Sequence, residues 1–272
     1  MLQDLSFGTL DNAYKNETAN ENDIAVCVYD NKILFIEDNE DLRLPKIKDI
    51  NEEIFAYLFT SQNEKYFLVF ENEEIKDENF VHLAVSQFQE RISKDLRFSL
   101  MTAWHLYVWY RDNKFCGRCG EKTVHDKKER MMKCEKCGNM IFPKICPAVI
   151  VGVTHGEKLL LARGLRSTVR YGLIAGFMEI GETAEECVAR EVMEEVGLKV
   201  KNIRYYKSQP WGIAGNISLG FYCDLDGENE TVKIQEEELS LATWFSRDEI
   251  PYEDNGISLT GEMIRMFKEN KI

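Results

Sequence analysis

Between Gly176 and Leu198 the chain runs G-F-M-E-I-G-E-T-A-E-E-C-V-A-R-E-V-M-E-E-V-G-L. Few local structures are open to such a stretch. Thr183 followed three residues later by Glu186 has the form of a capping box, so a helix is expected to begin there. Gly197 stands where a helix ends on a left-handed residue. At 3.6 residues per turn, Glu191, Glu194 and Glu195 share one face of the intervening rod. Ala184, Val188, Val192 and Val196 form a second face that can pack on a core. Only Arg190 interrupts the acidic face. Carboxylates so crowded repel one another unless a cation joins them, and their oxygens suit hard ions such as Mg²⁺ or Mn²⁺.

The rest of the composition narrows the partners. The chain has 272 residues, 44% hydrophobic and 30% charged, which is enough apolar mass for one large or two ordinary domains. Its net charge of −13 argues against a general binder of phosphate backbones. An anionic substrate has to be met by metal ions and a few local Arg or Lys. No apolar run is long enough to span a bilayer, so no membrane association is expected. The N-terminal M-L-Q-D-L-S-F-G lacks a basic segment followed by an apolar one, and the expected location is cytoplasmic.

Of the eight cysteines, Cys27, Cys146, Cys187 and Cys223 are scattered, and the others form two C-x-x-C pairs. Cys116-Gly-Arg-Cys119 and Cys134-Glu-Lys-Cys137 are separated by fourteen residues. Four thiolates at this spacing predict a closed tetrahedral Zn²⁺ site with a structural role. Lys122, Lys127, Lys128, Arg130 and Lys133 make this segment locally basic, and a solvated loop face is expected for them. The histidines His82, His105, His125 and His155 show no partner pattern, so covalent catalysis is not expected.

Residues 1–97 predict a small α+β domain. Ile24–Tyr29 and Lys32–Ile36 alternate around Asp30-Asn31 as a hairpin, Lys65–Phe70 predicts a strand, and Asn51–Thr60 a short helix. Residues 98–113 predict a connecting helix rich in aromatics, including Trp104 and Trp109. The zinc segment occupies 114–143. Over 144–272, strands are expected at Cys146–Val153, Lys158–Ala162, Leu173–Phe177, Val200–Tyr206, Ile217–Asp224 and Leu241–Phe245. A closing amphipathic helix is expected at Ile257–Phe267. Arg163, Arg166 and Arg170 fall in or beside one loop.

The acidic stretch resembles the Nudix box, G-x5-E-x7-R-E-U-x-E-E-x-G-U, where U is a bulky aliphatic residue. Every specified position matches, with Val192 and Leu198 at the aliphatic ones. The order helix, zinc ribbon, Nudix domain, together with Ser208-Gln209-Pro210-Trp211 downstream, is similar to the NADH pyrophosphatase branch of that superfamily. The resemblance covers about residues 97–272. It implies a mixed-sheet α/β/α sandwich, α+β in class, preceded by the ribbon and the N-terminal domain. It also implies metal-dependent hydrolysis of NADH or NAD⁺ to nicotinamide mononucleotide and AMP, by attack of water on a diphosphate gripped by Mg²⁺ or Mn²⁺. The same linkage occurs in an NAD cap on RNA.

By this resemblance Glu191, Glu194, Glu195 and Glu238, with the carbonyl of Ala175, are the metal ligands, and Arg190 orients a neighbouring glutamate. Phe177 stacks on the nicotinamide ring. Phe142 supplies an aromatic wall from the partner subunit of a homodimer. Glu129, Gln209, Pro210, Trp211, Asn216 and Thr260 complete the substrate set. The family pattern S-Q-P-W-P-F-P-x-S departs after Trp211 into Gly212-Ile213-Ala214-Gly215-Asn216, which loosens that loop. Two other readings compete. One is hydrolysis of ADP-ribose or a dinucleoside polyphosphate. The other is a non-catalytic zinc-ribbon regulator, which the intact box and the acidic charge disfavour.

Overall fold

The computed structural model describes residues 1–38, 41–88, 90–165, 171–252 and 254–272, so Arg166 and Arg170 lie outside the described residues. The chain divides into two compact units, one of Gln3–Lys144 and one of Ile145–Ile272 with Met1–Leu2.

In the first unit, β1 (Ile24–Tyr29) and β2 (Lys32–Asp38) form the expected hairpin, with Tyr29 opposite Lys32. The connecting Asp30 and Asn31 have φ of 45° and 58°, the left-handed geometry that two-residue hairpins require. β3 (Asp41–Arg43), β4 (Ile54–Ser61), β5 (Glu64–Phe70) and β6 (Phe80–Leu83) complete a six-stranded sheet in which β1 runs parallel to β5 and β4 is an edge. The helix expected at Asn51–Thr60 is therefore corrected to a strand. An unbroken apolar run fits either element. Gln62-Asn63, with φ of 51° and 66°, turns this run into a hairpin with β5.

α1 (Val85–Phe88) is a single turn, and α2 (Lys94–Asp112) follows. α2 starts before Phe98 because the Ser93 hydroxyl accepts from the Leu96 N–H and caps it. Leu100, Ala103, Leu106, Tyr107 and Tyr110 of α2 join Leu58, Phe59 and Leu68 of the sheet in one core, which also takes in Met132 of the ribbon. The ribbon itself is a three-stranded sheet of β7 (Val124–His125), β8 (Met132–Lys133) and β9 (Met140–Ile141).

The second unit holds β10 (Cys146–His155), β11 (Lys158–Gly164), β12 (Ile174–Phe177), α3 (Ala184–Val196), β13 (Val200–Trp211), β14 (Asn216–Leu225), β15 (Leu239–Ser246) and α4 (Leu259–Lys268). The strand order is β13-β14-β10-β11-β15, with β12 paired to β10. Alternation places one helix on each face of this sheet. Val149, Val151 and Val153 of β10 pack with Cys187, Val188, Val192 and Val196 of α3. Leu159, Leu161 and Tyr222 pack with Leu259, Met263, Ile264 and Phe267 of α4. The result is the expected mixed-sheet sandwich between two helices. Ser208-Gln209-Pro210-Trp211 does not form a turn. It extends β13, and the turn comes after Trp211.

Candidate active site

α3 begins as its sequence predicts. The Thr183 hydroxyl accepts from the Glu186 N–H at 3.2 Å, and the Glu186 carboxylate accepts from the Thr183 N–H at 2.8 Å. The helix ends on Gly197 at φ 70°. Its polar face is not uniformly solvated. Glu191 and Glu195 are buried, at 8% and 4% exposure, whereas Glu194 is exposed.

The burial follows from β12, which pairs only with β10 among the described residues and leaves its other edge turned to the helix. The Ala175 N–H donates to Glu195 Oε1 at 3.3 Å, and the Phe177 carbonyl accepts from Arg190 Nη2 at 2.9 Å. A strand residue directs its N–H and C=O to the same edge, so the Ala175 carbonyl also faces the Glu195 side. Gly176, between them, lies directly against the Glu191 carboxylate, and a Cβ there would fall within it. The glycine of the box is thus a spatial requirement of this contact.

Arg190 is fully committed to its neighbours. Its Nε donates to Glu182 Oε1 at 2.5 Å, its Nη1 to Glu191 Oε1 at 2.8 Å and to Glu194 Oε2 at 3.0 Å. The Arg190 bond, aided by the Glu179 N–H, holds the Glu182 carboxyl down to about 2. Burial pushes Glu195 the other way, up to about 7, and the charges of Glu191, Glu238 and Glu194 add to it. Glu191 is raised as well, again first by burial. One arginine does not neutralise this group. Such a donor set, carboxylates beside a backbone carbonyl, fits a hard divalent cation, which would restore the ionised form.

Glu238 comes to this cluster from another part of the chain. The Lys233 N–H donates to the Val196 carbonyl at 3.0 Å and the Gln235 N–H to the Glu195 carbonyl at 2.9 Å. These bonds satisfy carbonyls at the end of α3 that have no partner within the helix. The Glu238 N–H then closes a turn onto Gln235 at 3.1 Å. Glu238 is exposed, and its negative charge raises both Glu191 and Glu195.

The sheet face turned toward α4 gathers most of the remaining residues. Phe177 lies opposite Ala148 and Ala175 opposite Ile150, while Gln209 lies opposite Ser218 and Trp211 opposite Asn216. Ala148 and Ile150 are in register with Ser218 and Gly220. Cross-strand partners share a face, so Phe177, Ile150, Ser218, Asn216, Gln209 and Trp211 form one surface. A pocket of about 160 Å³ opens on it, lined by Ile150, Gln209, Trp211, Ser218, Leu259 and Thr260. Phe177 is 55% exposed.

The Gln209 side chain is buried within this wall. Its Nε2 donates to the Ile257 carbonyl at 2.9 Å and its Oε1 accepts from the Leu259 N–H at 2.7 Å, so it braces the start of α4. Pro210 is exposed on the opposite side of β13. Asn216 is buried, donates to Ser218 Oγ at 3.2 Å, and leaves Oδ1 without a partner. Ile150 and Ser218 were not evident from sequence, because only the register of β10, β13 and β14 brings them together.

In the Gln3–Lys144 unit the four cysteines converge, their Sγ atoms all within 4.8 Å of one another. Cys116 and Cys137 are 3.6 Å apart, and Cys119 and Cys134 are 3.5 Å apart. These gaps exceed a disulfide bond and approach the roughly 3.8 Å edge of a tetrahedron with Zn–S of about 2.3 Å. Matching bonds close both knuckles, Gly120 N–H to the Cys116 carbonyl at 2.8 Å and Gly138 N–H to the Cys134 carbonyl at 2.9 Å. The four cysteines therefore fit a structural zinc site. Phe142, following β9, is half-exposed, and Glu129 is exposed with its N–H on Asp126 Oδ1 at 3.0 Å. Arg130 departs from the expected solvated face. It donates through Nη2 to the Leu58 and Asn12 carbonyls and packs over Tyr14.

A mixed sheet between two helices, with an acidic capped helix against a short glycine-bearing strand, defines the Nudix class. Residues 144–267 match the NUDIX domain family. Residues 111–142 match the NADH pyrophosphatase zinc ribbon domain, so the chain joins a Nudix domain to a ribbon of that particular kind. Over 152 residues it is 41% identical to the NAD-capped RNA hydrolase NudC of Mannheimia succiniciproducens, covering 53% of this chain and 56% of that one. Over 145 residues it is 45% identical to the NAD-capped RNA hydrolase NudC of Pseudomonas syringae pv. syringae, covering 53% and 51%. The chain thus spans about half the length of the curated relatives it matches. A crystal structure of a NUDIX hydrolase from Nitrosomonas europaea aligns with a TM-score of 0.49 at 24% identity, over 58% of this chain and 92% of that one. No helix among the described residues is long and apolar enough to cross a membrane.

Proposed function

We propose that the protein hydrolyses the diphosphate linkage of NADH or NAD⁺, giving nicotinamide mononucleotide and AMP, and by the same chemistry removes an NAD cap from RNA. The observation that carries this reading is the edge of β12. There Glu195 and the Ala175 backbone meet, Glu191 lies against Gly176, and the reverse face of the same strand carries exposed Phe177. One short strand thus adjoins both a cation-seeking cluster and an aromatic surface. The identity with NAD-capped RNA hydrolases over 143–152 residues supports the choice of substrate.

In this reading Glu191, Glu194, Glu195 and Glu238 with the Ala175 carbonyl hold Mg²⁺ or Mn²⁺. Ions held there supply charge neutralisation on the diphosphate and acidify a water for attack. Arg190 does not contact substrate; its bonds to Glu182, Glu191 and Glu194 fix the carboxylates in place. Phe177 stacks on the nicotinamide, and Trp211 and Thr260, with Asn216 beside them, line the pocket for the remainder of the substrate. Gln209 contributes by fixing Leu259 and hence the neighbouring Thr260. Pro210 shapes the end of β13.

Residues 1–97, 98–113, 114–143 and 144–272 act in this reading as N-terminal domain, connecting helix, ribbon and hydrolase. The ribbon supports a homodimer. Val124 and Met140 are both in register with Lys133 on one face, and Val124, Met140 and Phe142 are all exposed. Such an apolar face suits a second copy, which would carry Phe142, and Glu129 in the same ribbon, to the partner's site. A cytoplasmic location completes the reading.

The test is to incubate the protein with NADH and Mn²⁺ and identify the products by mass. AMP and the reduced form of nicotinamide mononucleotide are expected from NADH in equal amounts, and a 5′-monophosphate end is expected from NAD-capped RNA. Intact NADH beside cleaved ADP-ribose would instead favour the competing substrate class.

A further inference from the structure

The Gln3–Lys144 unit contains a cavity of about 290 Å³ between residues 14–19 and the edge strand β4. Five aromatic rings, Tyr14, Phe55, Tyr57, Phe67 and His125, are among its lining residues. Three of these rings, Tyr14, Phe55 and His125, are in mutual contact through the imidazole. His125 stacks near Phe55 at 6.1 Å, with 23° between the planes, and meets Tyr14 edge-on at 5.6 Å. Tyr110 fixes the imidazole through a 2.9 Å bond between its hydroxyl and Nε2. Burial holds His125 below its ordinary pKa, so the ring is a neutral platform at pH 7.

Two further features lie beside this cavity. Behind Tyr14 stands Arg130, its guanidinium 5.9 Å from the ring centre. It forms no ion pair with a carboxylate among the described residues, and its buried Nε has no partner. A part-buried guanidinium behind a ring favours an electron-rich partner on that ring. Of the acidic groups nearby, Glu17 is paired with Lys65 at 2.5 Å and Asp11 with Lys15 at 2.6 Å, while the Asp126 carboxylate, which acts on both Tyr14 and His125, accepts from the Lys128 and Glu129 N–H. Among the described residues, none is hydrogen-bonded to the main chain of Tyr14–Ala19.

We propose that this cavity is a second ligand site, for one nucleotide, whose base enters the aromatic slot of Tyr14, Phe55, Tyr57 and His125. Aromatic platforms with a neighbouring arginine bind bases through their π-faces with little sequence preference. The volume lies at the small end of ligand pockets. That size suits one nucleotide unit. The unit has two sources, a free mononucleotide or one residue of an RNA chain. The proposal does not rest on the hydrolytic reading, because no residue of the acidic cluster takes part.

Photolabelling of the full chain with 8-azido-AMP, without added divalent ions, tests it independently of turnover. Label is expected on peptides containing Tyr14–Ala19 or Ile54–Tyr57. Thr18→Trp, which fills the cavity, should reduce that label at least tenfold with an unchanged melting temperature. Tyr14→Leu, which removes one ring, should reduce it several-fold and serves if Thr18→Trp does not fold. Protection by AMP alone assigns the free mononucleotide. Protection by a short oligoadenylate at more than tenfold lower concentration assigns an RNA chain. Absence of label from these peptides, label undiminished by either variant, or protection by neither competitor overturns the proposal.

Discussion

Replacing Gly176 with alanine should disable the site with only modest harm to the fold. The added Cβ would fall within the Glu191 carboxylate. Non-bonded heavy atoms settle at roughly 3.5 Å, so the carboxylate must retreat by roughly 1 Å or more. A misplacement of about 1 Å at a reacting centre costs on the order of 10²-fold in rate, or about 2.7 kcal/mol of barrier. The overpacking itself should cost about 1–3 kcal/mol of stability. The assay is the initial rate of NADH cleavage with Mn²⁺, alongside a thermal melt followed by circular dichroism. Glu191→Asp shortens the side chain by one methylene, so the double variant should recover part of the lost rate. A coupling larger than about 0.5 kcal/mol marks direct contact. A Gly176→Ala enzyme within threefold of wild type, or a double variant whose losses simply add, would refute the reasoning.

Glu194→Gln and Glu195→Gln should each lower turnover by on the order of 10²-fold or more while the protein stays folded, and an undiminished rate excludes a metal role for that residue. Removing zinc with a chelator, or substituting Cys116 with serine, should lower the melting temperature of the unit containing Gln3–Lys144, since a structural metal contributes to folding directly. An unchanged melt together with an unchanged oligomer size counts against both the zinc and the dimer. Glu262 supplies a pH signature. Burial raises its carboxyl, but bonds from Lys207 at 2.6 Å and Tyr206 at 2.7 Å outweigh it, so its pKa lies below that of an ordinary glutamate. A lowered folded pKa adds stability above the unfolded value that disappears as pH falls through the folded one. The denaturant midpoint should therefore drop below about pH 5, and Glu262→Gln should flatten that drop. Equal slopes in the two proteins remove Glu262 as its source.

Local chemistry was the legible part of the sequence. Capping at Thr183, the end at Gly197, the Asp30-Asn31 hairpin and the four zinc thiolates all depend on residues close in the chain, and each appears where its pattern lies. What escaped depended on register or on burial from both sides. Ile54–Ser61 is apolar on both faces, so its period carried no information until Gln62-Asn63 was recognised as a turn. The partnership of Gln209 with Ser218, and of Phe177 with Ala148, exists only once strands are aligned. The unequal burial of three glutamates on one helix follows from the position of β12, which no helical periodicity encodes. Arg130 sat in a basic run, and only the tertiary fold distinguishes it from solvated neighbours such as Lys127.

The hydrogen bonds from Lys233 and Gln235 onto the last carbonyls of α3 have a wider consequence. They register the Glu238 turn against the backbone of Glu195 itself, with no need for the connection after β14 to measure the distance. Peptide inserted between Asp226 and Asn229, ahead of Glu230, which Trp244 and Lys158 anchor, should loop outward while the acidic residues on either side keep their spacing. That exposed connection is accordingly where a tag, a reporter or an added recognition element can be grafted without retuning the chemistry.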